Sequence, residues 1–469
     1  MDLQQRYDKL RWQILTSHSV FGTFVSGLRL FVNQIRSVSL LRGRGLQNAL
    51  AQHKGPIGEE HGALAHAAQH YKGASLWREA KLNFYKIRSY QSWEKARAQN
   101  DFNAVRAPFD ALLSAQFNDA AHGKSYDDLL ALQSRGLNSA DVKILMADSY
   151  RRYIKLNAAL LKAAPLNLDA AHDKWRIVPE AQERIVKRIM DDMGVDFLRL
   201  SYREGAHPAC FGYGDDVFIS MHYDENDALK TILAAVHEAG HALYRQNLPR
   251  NKAGQTLSGV AGRDMDEAMA LIWEQGIARN AGFAAYLSRV IDEETQGAKP
   301  ISADAVLMRL MARGAYKDRA NADVVEYPLH GIARHDVMQQ LAAQRLSVGD
   351  LSQAFNESSI AYLGHLPPDA RAGVLQDPHW FAGEFTDFDN YFMGQHYALH
   401  LYESLSVSHG EEALNSAMTE GNFTPITNWL CQHVWQHGAL KTSQEIMAAQ
   451  GWLGAHAHGY ESFISRKFL

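Results

Sequence analysis

His237, Glu238 and His241 stand in the stretch AAVHEAGHALYRQ, residues 234–246, with the two histidines four apart. On a helix, residues four apart lie on one face, so two imidazole nitrogens can meet one ion. Glu238 points aside from that pair. It can reach a water on the ion without ligating the ion itself. This is the HExxH arrangement of zinc hydrolases. The flanks are apolar, which predicts a buried helix, where two imidazoles and a carboxylate are costly without a partner.

A catalytic zinc site takes a third protein ligand and keeps one position open for water. After the motif the chain turns through NLPRNKAGQTLSGVAGR, and a second helix is expected from DMDEAMALIWEQ. Asp264, Asp266, Glu267 and Glu274 are the acids it offers. A return of this length suits Glu267 as the third ligand, with Glu274 the alternative. The ion would acidify a water and polarise a carbonyl. Glu238 would take the proton and pass it to the leaving nitrogen. Tyr and His side chains are the usual donors to the oxyanion, and the C-terminal third supplies several.

The elements that must position these groups read mostly as helix. DKLRWQILTSH, QNALAQH and YDDLLALQ carry apolar residues three and four apart. FGYGDDVFISMHY, 211–223, breaks the pattern and reads as a short strand or hairpin just before the motif helix. Its edge could pair with an extended peptide. Three regions follow: helical to about residue 135, the strand and motif to about 290, and helical again, with a loop-rich stretch at 363–395. Nothing reads as a linker between them, so one integrated body is expected. Arg29, Arg36, Arg42 and Arg44 read as a solvated helix face.

The 469 residues carry a formal net charge of −4, which gives no general attraction to nucleic acid or acidic membrane. Two cysteines, Cys210 and Cys431, form no disulfide framework, so a reducing compartment is expected. The N-terminus lacks the order of a secretory signal. SVFGTFVSGLRLFV is interrupted by Arg29 and too short to span a bilayer. A cytoplasmic protein with neither nucleic-acid nor membrane partners is expected.

Taken together, HEAGHALYRQ, Glu267 and GVLQDPHW (373–380) resemble the carboxypeptidase Taq family of metallocarboxypeptidases. The likeness runs in register from SWEKARAQNDF (92–102) through YDDLL to GQHYALHLYE (394–403). It implies an all-α fold with a small β-hairpin or short sheet beside the active site, in two lobes around a central groove. It divides the chain into a divergent N-terminal region, 1–90, serving as a lid or dimer contact, and a peptidase body, 91–469. It implies a homodimer that takes peptide substrates and holds one zinc per chain, or another divalent ion such as Co2+ or Mn2+. His237, His241 and Glu267 would be ligands and Glu238 the general base. Tyr391 and His379 would join the catalytic groups. The family's IRxxAD arginine is matched to Arg334 in GIARHDVM, and Gln376, Asp377 and His207 are carried over as substrate-binding positions.

Departures fall on the substrate side. The family's DxRxT reads DVFIS, with Phe218 for the arginine, and a following arginine is His222. HES reads Asp266-Glu267-Ala268. Asp387 and Asp389 replace Tyr and Pro of a GYFP stretch. Arg263, one turn before Glu267, is a candidate local replacement for the lost cations. Three readings stand: a metallocarboxypeptidase, a zinc amide hydrolase acting on modified peptides or small conjugates, and a metal-binding relative without turnover. Retention of Glu238 speaks against the last, since a structural site needs no base.

Overall fold

The computed structural model describes residues 76–118, 123–163, 175–205, 207–249, 259–313, 319–454 and 458–469. The helices expected at DKLRWQILTSH and QNALAQH, the four early arginines and most of the proposed lid lie outside the described residues.

Leu76–Gln99 (α1) is followed by Asn103–Phe117 (α2), which turns Val105, Phe109, Leu112 and Leu113 inward at helical spacing. Tyr126–Gln133 (α3) starts on a capping box in which Ser125 and Asp128 satisfy each other's backbone N–H. Ser139–Ala163 (α4) follows. Pro179–Asp192 (α5) has proline in its first turn and buries Ala181, Ile185, Val186 and Ile189 along one stripe.

A three-stranded sheet comes next, ordered β1–β3–β2: Leu200–Glu204 (β1), Ala209–Tyr213 (β2) and Asp216–Met221 (β3). The expected hairpin is the antiparallel β2–β3 pair, with Phe211 opposite Phe218. β1, which sequence periodicity did not single out, joins β3 in parallel. Gly212 has φ +89°, and a Cβ there would sit 1.9 Å from the Asp216 carbonyl oxygen. No other residue fits the hairpin at that point.

The motif helix, Ala228–Gln246 (α6), packs on α5, β2, β3 and Arg263–Leu271 (α7). α7 runs into a π-helical turn, Ile272–Ile277. Ala281–Glu294 (α8), Ala303–Leu310 (α9), Tyr327–Ala342 (α10) and Leu351–Leu363 (α11) follow. The long helix Asp387–His409 (α12) precedes Glu411–Thr419 (α13), Thr424–Leu430 (α14), Ser443–Ala449 (α15) and Gly459–Phe468 (α16).

These elements fall into two compact units that do not follow the three sequence regions. Among the described residues, one unit lies within 167–312 and 394–467, and the other within 70–166, 313–393 and 468–469. The first holds the sheet, α6 and α7. The second has its own core, with Phe109, Phe355, Trp380, Phe381, Phe385 and Phe388 buried together. α12 supplies residues to both.

The loop-rich stretch expected to reach residue 395 ends at Thr386. Asp387 and Asp389 lie in the first turn of α12, where acidic side chains complement the helix dipole. Both are fully buried. Gln133 donates to Asp387 (3.3 Å), and Asn390 donates to Gln133 (2.6 Å). Asp389 accepts from His335 Nδ1 at 2.8 Å. Burial works against the charged imidazole, but Asp389 outweighs it and raises the His335 pKa.

A raised pKa means that protonation stabilises the fold. The contribution is whole below the unfolded value of about 6.5 and fades as pH climbs through the higher folded value. Comparing urea midpoints of wild type and His335→Gln from pH 6 to 9 should show a gap that narrows as pH rises. A gap independent of pH would mean that the pair is not ionic.

Candidate metal centre

α6 and α7 bring the centre together by approaching unusually closely. A Cβ on Gly240, inside HEAGH, would lie 2.5 Å from the Met269 carbonyl oxygen and 2.8 Å from Ala270 Cα. On the other side of Glu267, a Cβ on Gly394 of α12 would come within 2.9 Å of that side chain. Two glycines therefore let three helices converge where the ligands sit. The Tyr244 hydroxyl accepts from the Ala261 N–H (3.0 Å), tying the entry to α7 back onto α6.

His237, His241 and Glu267 each offer one ligand atom, all within 4.8 Å of one another. His241 Nε2 lies 3.8 Å from Glu267 Oε2. The rings of His237 and His241 meet edge to face, 5.0 Å between centroids.

The four acids proposed from the second helix take four different places. Glu267 faces the histidines. Glu274, the alternative ligand, instead bonds His237 Nδ1 at 2.8 Å from the π-helical turn. That bond fixes the tautomer with Nε2 left for an ion. Asp266 Oδ1 lies 3.3 Å from His241 Nδ1, an ion-pair distance. Asp264 turns away: its Oδ1 accepts from the Ser443 hydroxyl (2.6 Å) and the Met265 N–H (2.8 Å).

Charge in the centre is tuned for a cation. Burial disfavours charged His237, yet the Glu274 hydrogen bond and the carboxylates of Glu267, Glu274 and Glu238 raise its pKa to about 10. Burial raises the Glu238 pKa, against the pull of both histidines. Burial also opposes the charge on Asp266, but Arg245 and His241 hold its pKa well below the usual range. Two imidazoles and a carboxylate with nitrogens and oxygen convergent, backed by further acids, fit a divalent ion of the zinc type.

The remaining expected residues have the following surroundings. His207 is exposed between β1 and β2, and Arg263 opens α7 half-buried. Arg334 is only 1% exposed. It donates to Asp377 Oδ2 (2.7 Å) and to the His330 carbonyl (2.9 Å), with its guanidinium over Phe355 and Phe388. Asp377 Oδ1 accepts twice from Arg319, at 3.0 and 3.1 Å, and Gln376 Oε1 accepts from the Arg319 N–H. The Tyr391 hydroxyl meets His379 Nε2 at 3.0 Å, and Arg319 sits 5.2 Å from the Tyr391 ring. Trp380 is core, 4% exposed.

Arg319 is a functional candidate that the reading of GIARHDVM passed over. The spacing R-x-x-A-D is met by Arg319, Ala322 and Asp323, and not by the stretch around Arg334. Asp323 caps its own turn, accepting from the N–H groups of Val325 and Glu326. Phe218 is buried at 2% in the central strand, so β3 presents no cation there.

The sequence profile of the carboxypeptidase Taq (M32) metallopeptidases matches residues 32–468. The chain belongs to that family. The M32 match begins well before residue 92, where the register was legible by motif. The chain is 28% identical over 396 residues to carboxypeptidase 1 of Bacillus subtilis (strain 168), covering 82% of this chain and 78% of that one. It is 24% identical over 385 residues to thermostable carboxypeptidase 1 of Pyrococcus furiosus, covering 81% and 77%. Among solved structures, a Pyrococcus furiosus carboxypeptidase superposes with a TM-score of 0.90 at 21% identity, covering 100% of this chain and 96% of that one. Metallocarboxypeptidase 1 of Trypanosoma cruzi gives 0.87 at 21%, covering 99% and 98%. An M32 enzyme is a metal-dependent peptidase, and the mainly helical body with its small sheet is the fold of these structures.

Metal titrations with chelator competition, together with urea unfolding, check four variants. Glu267→Ala should lose stoichiometric zinc binding, Glu274→Gln should weaken it about 10- to 100-fold, and Asp264→Asn should leave it near wild type. Gly240→Ala should destabilise the protein by about 1–3 kcal/mol through overpacking and weaken zinc binding as α6 and α7 separate. Full stability in that variant would sink the close-approach account.

Proposed function

We propose that this chain removes C-terminal residues from peptides, with one divalent ion, zinc first among the candidates, held by His237 Nε2, His241 Nε2 and Glu267. The observation that carries this is the convergence of those three donors, with Glu274 hydrogen-bonded to His237 and the Asp266 carboxylate 3.3 Å from His241. Such an ion supplies Lewis acidity, making water easier to deprotonate and a carbonyl easier to attack.

The protein's part is proton management and orientation. Glu238 is 7% exposed and follows His237 directly. Burial raises its pKa, which suits a base that accepts the proton of the attacking water and then releases it to the departing amine. Tyr391, held by His379, is the proposed hydroxyl donor to the developing oxyanion.

For the substrate carboxylate, Arg319 is the better placed of the two arginines on Asp377. Its side chain is 16% exposed against 1% for Arg334. Arg334, enclosed by two phenyl rings, supports Asp377, which with Gln376 fixes Arg319. His207 and Arg263 are further proposed contacts. The reading extends to a homodimer in the cytoplasm. Neither a nucleic-acid nor a membrane partner is proposed, and no described helix is long and apolar enough to cross a membrane.

A matched peptide pair, free acid and C-terminal amide, tests the assignment with products read by mass spectrometry. The zinc-loaded wild type should shorten the free acid only. Glu238→Gln should lose about 10²–10⁴-fold in rate with metal still bound. Arg319→Ala should raise KM for the free acid about tenfold or more. Equal cleavage of both peptides would replace the carboxypeptidase assignment with a broader amide hydrolase, the reading that buried Phe218 favours.

A further inference from the structure

We propose that Arg245 is a positioning residue for the metal ligand His241, acting through Asp266; this rests on the metal site proposed above. Arg245 stands one turn beyond His241 on α6, and Asp266 immediately precedes Glu267 on α7. The guanidinium grips the carboxylate with both edges of its fork: Nη2 donates to Oδ2 at 2.6 Å and Nε to Oδ1 at 3.2 Å. Oδ1 is the same oxygen that lies 3.3 Å from His241 Nδ1. Side-chain exposure is 12% for Arg245 and 9% for Asp266, so solvent does little to loosen the pair.

Arg245 is itself fixed on two more sides. Nη1 donates to the Gly212 carbonyl of β2 at 3.2 Å, and the guanidinium lies 5.3 Å from the centre of the Tyr213 ring. Strand, aromatic ring and carboxylate thus hold a planar cation in one orientation. Asp266 cannot rotate about its own bonds without breaking the fork. Its Oδ1 is therefore held 3.3 Å from His241 Nδ1, where it attracts that edge of the ring, while Nε2 lies 3.8 Å from Glu267. His237 is oriented differently, by Glu274 on a π-helical turn.

The arrangement also accounts for two departures together. Where the M32 pattern has an arginine on β3, this chain has Phe218, whose ring packs against Gly212. Where the pattern has a histidine before the third ligand, this chain has Asp266. A guanidinium is thus still present beside this strand pair, delivered from α6, with a carboxylate next to Glu267 to receive it.

The test is a double-mutant cycle on the full chain: Arg245→Met, Asp266→Asn and the two combined, each with a zinc dissociation constant from chelator competition, a Co2+ visible spectrum and a Tm. Asp266→Asn and Arg245→Met should each weaken zinc about 10- to 100-fold and alter the Co2+ spectrum. The double variant should bind as Asp266→Asn does, because Arg245 acts only through that carboxylate. Arg245→Lys, which keeps the charge and loses the fork, should fall between wild type and Arg245→Met. It also carries the test if Arg245→Met does not fold. Wild-type zinc affinity in either arginine variant, with only Tm lowered, would overturn the proposal, as would losses that multiply in the double variant. If His237→Ala binds zinc as tightly as wild type, the metal-site reading itself has failed, whatever Arg245 does.

Discussion

The centre depends on how closely α6 can approach α7. Ligands on two helices converge only if the backbones come nearer than ordinary side chains allow, and at Gly240 the neighbouring carbonyl of Met269 occupies the space a Cβ would need. Gly394 repeats the device from α12 against Glu267. Around the contact the packing is apolar and closed, with Trp273 fully buried and the Trp435 indole donating to Met269 Sδ. A cavity or an extra methyl there would be felt at the ligands, because interiors packed at crystal density transmit strain rather than absorb it.

That burial creates an electrostatic problem that the local structure solves acid by acid. Glu238, Glu267, Asp266 and Asp264 are all at most 7% exposed. Unpaired carboxylates at such depth would be protonated or would unfold the site. Asp264 Oδ1 is met by Ser443 and its own helix, and Asp266 by Arg245. Glu274 takes His237. Glu267 keeps an oxygen 3.8 Å from His241 Nε2, where it and the two histidines could share an ion. The second unit follows the same logic: one carboxylate, Asp377, serves two guanidiniums, so that Arg334 is enclosed while Arg319 keeps part of its surface.

Much of this was legible in the chain. HExxH marks two candidate ligands and a candidate base because four-residue spacing puts both histidines on one helical face whatever else the fold does. The downstream acidic helix, the hairpin at 211–223 and the mainly helical character follow from local periodicity; the family likeness rests instead on the motifs HEAGHALYRQ and GVLQDPHW with Glu267 between them. β1 has no sequence signature, because a five-residue edge strand with an irregular burial pattern has no clean alternation. The loop reads as running to residue 395 because aspartates look like loop residues until they are seen to start a helix.

By itself, the sequence determined which candidate groups α6 carries, since two histidines and a glutamate on one face are a matter of spacing along one element. Which of four acids faces the histidines, bonds one of them or turns away was decided only by tertiary structure, because it depends on the rotation of α7 about its axis and on the π-helical turn that follows. The same holds for Arg245 and Arg319. Their meaning lies in partners contributed by other elements, Asp266 and Gly212 for the one, Asp377 and Gln376 for the other. No local pattern encodes a contact between groups that meet only when separate helices and strands pack.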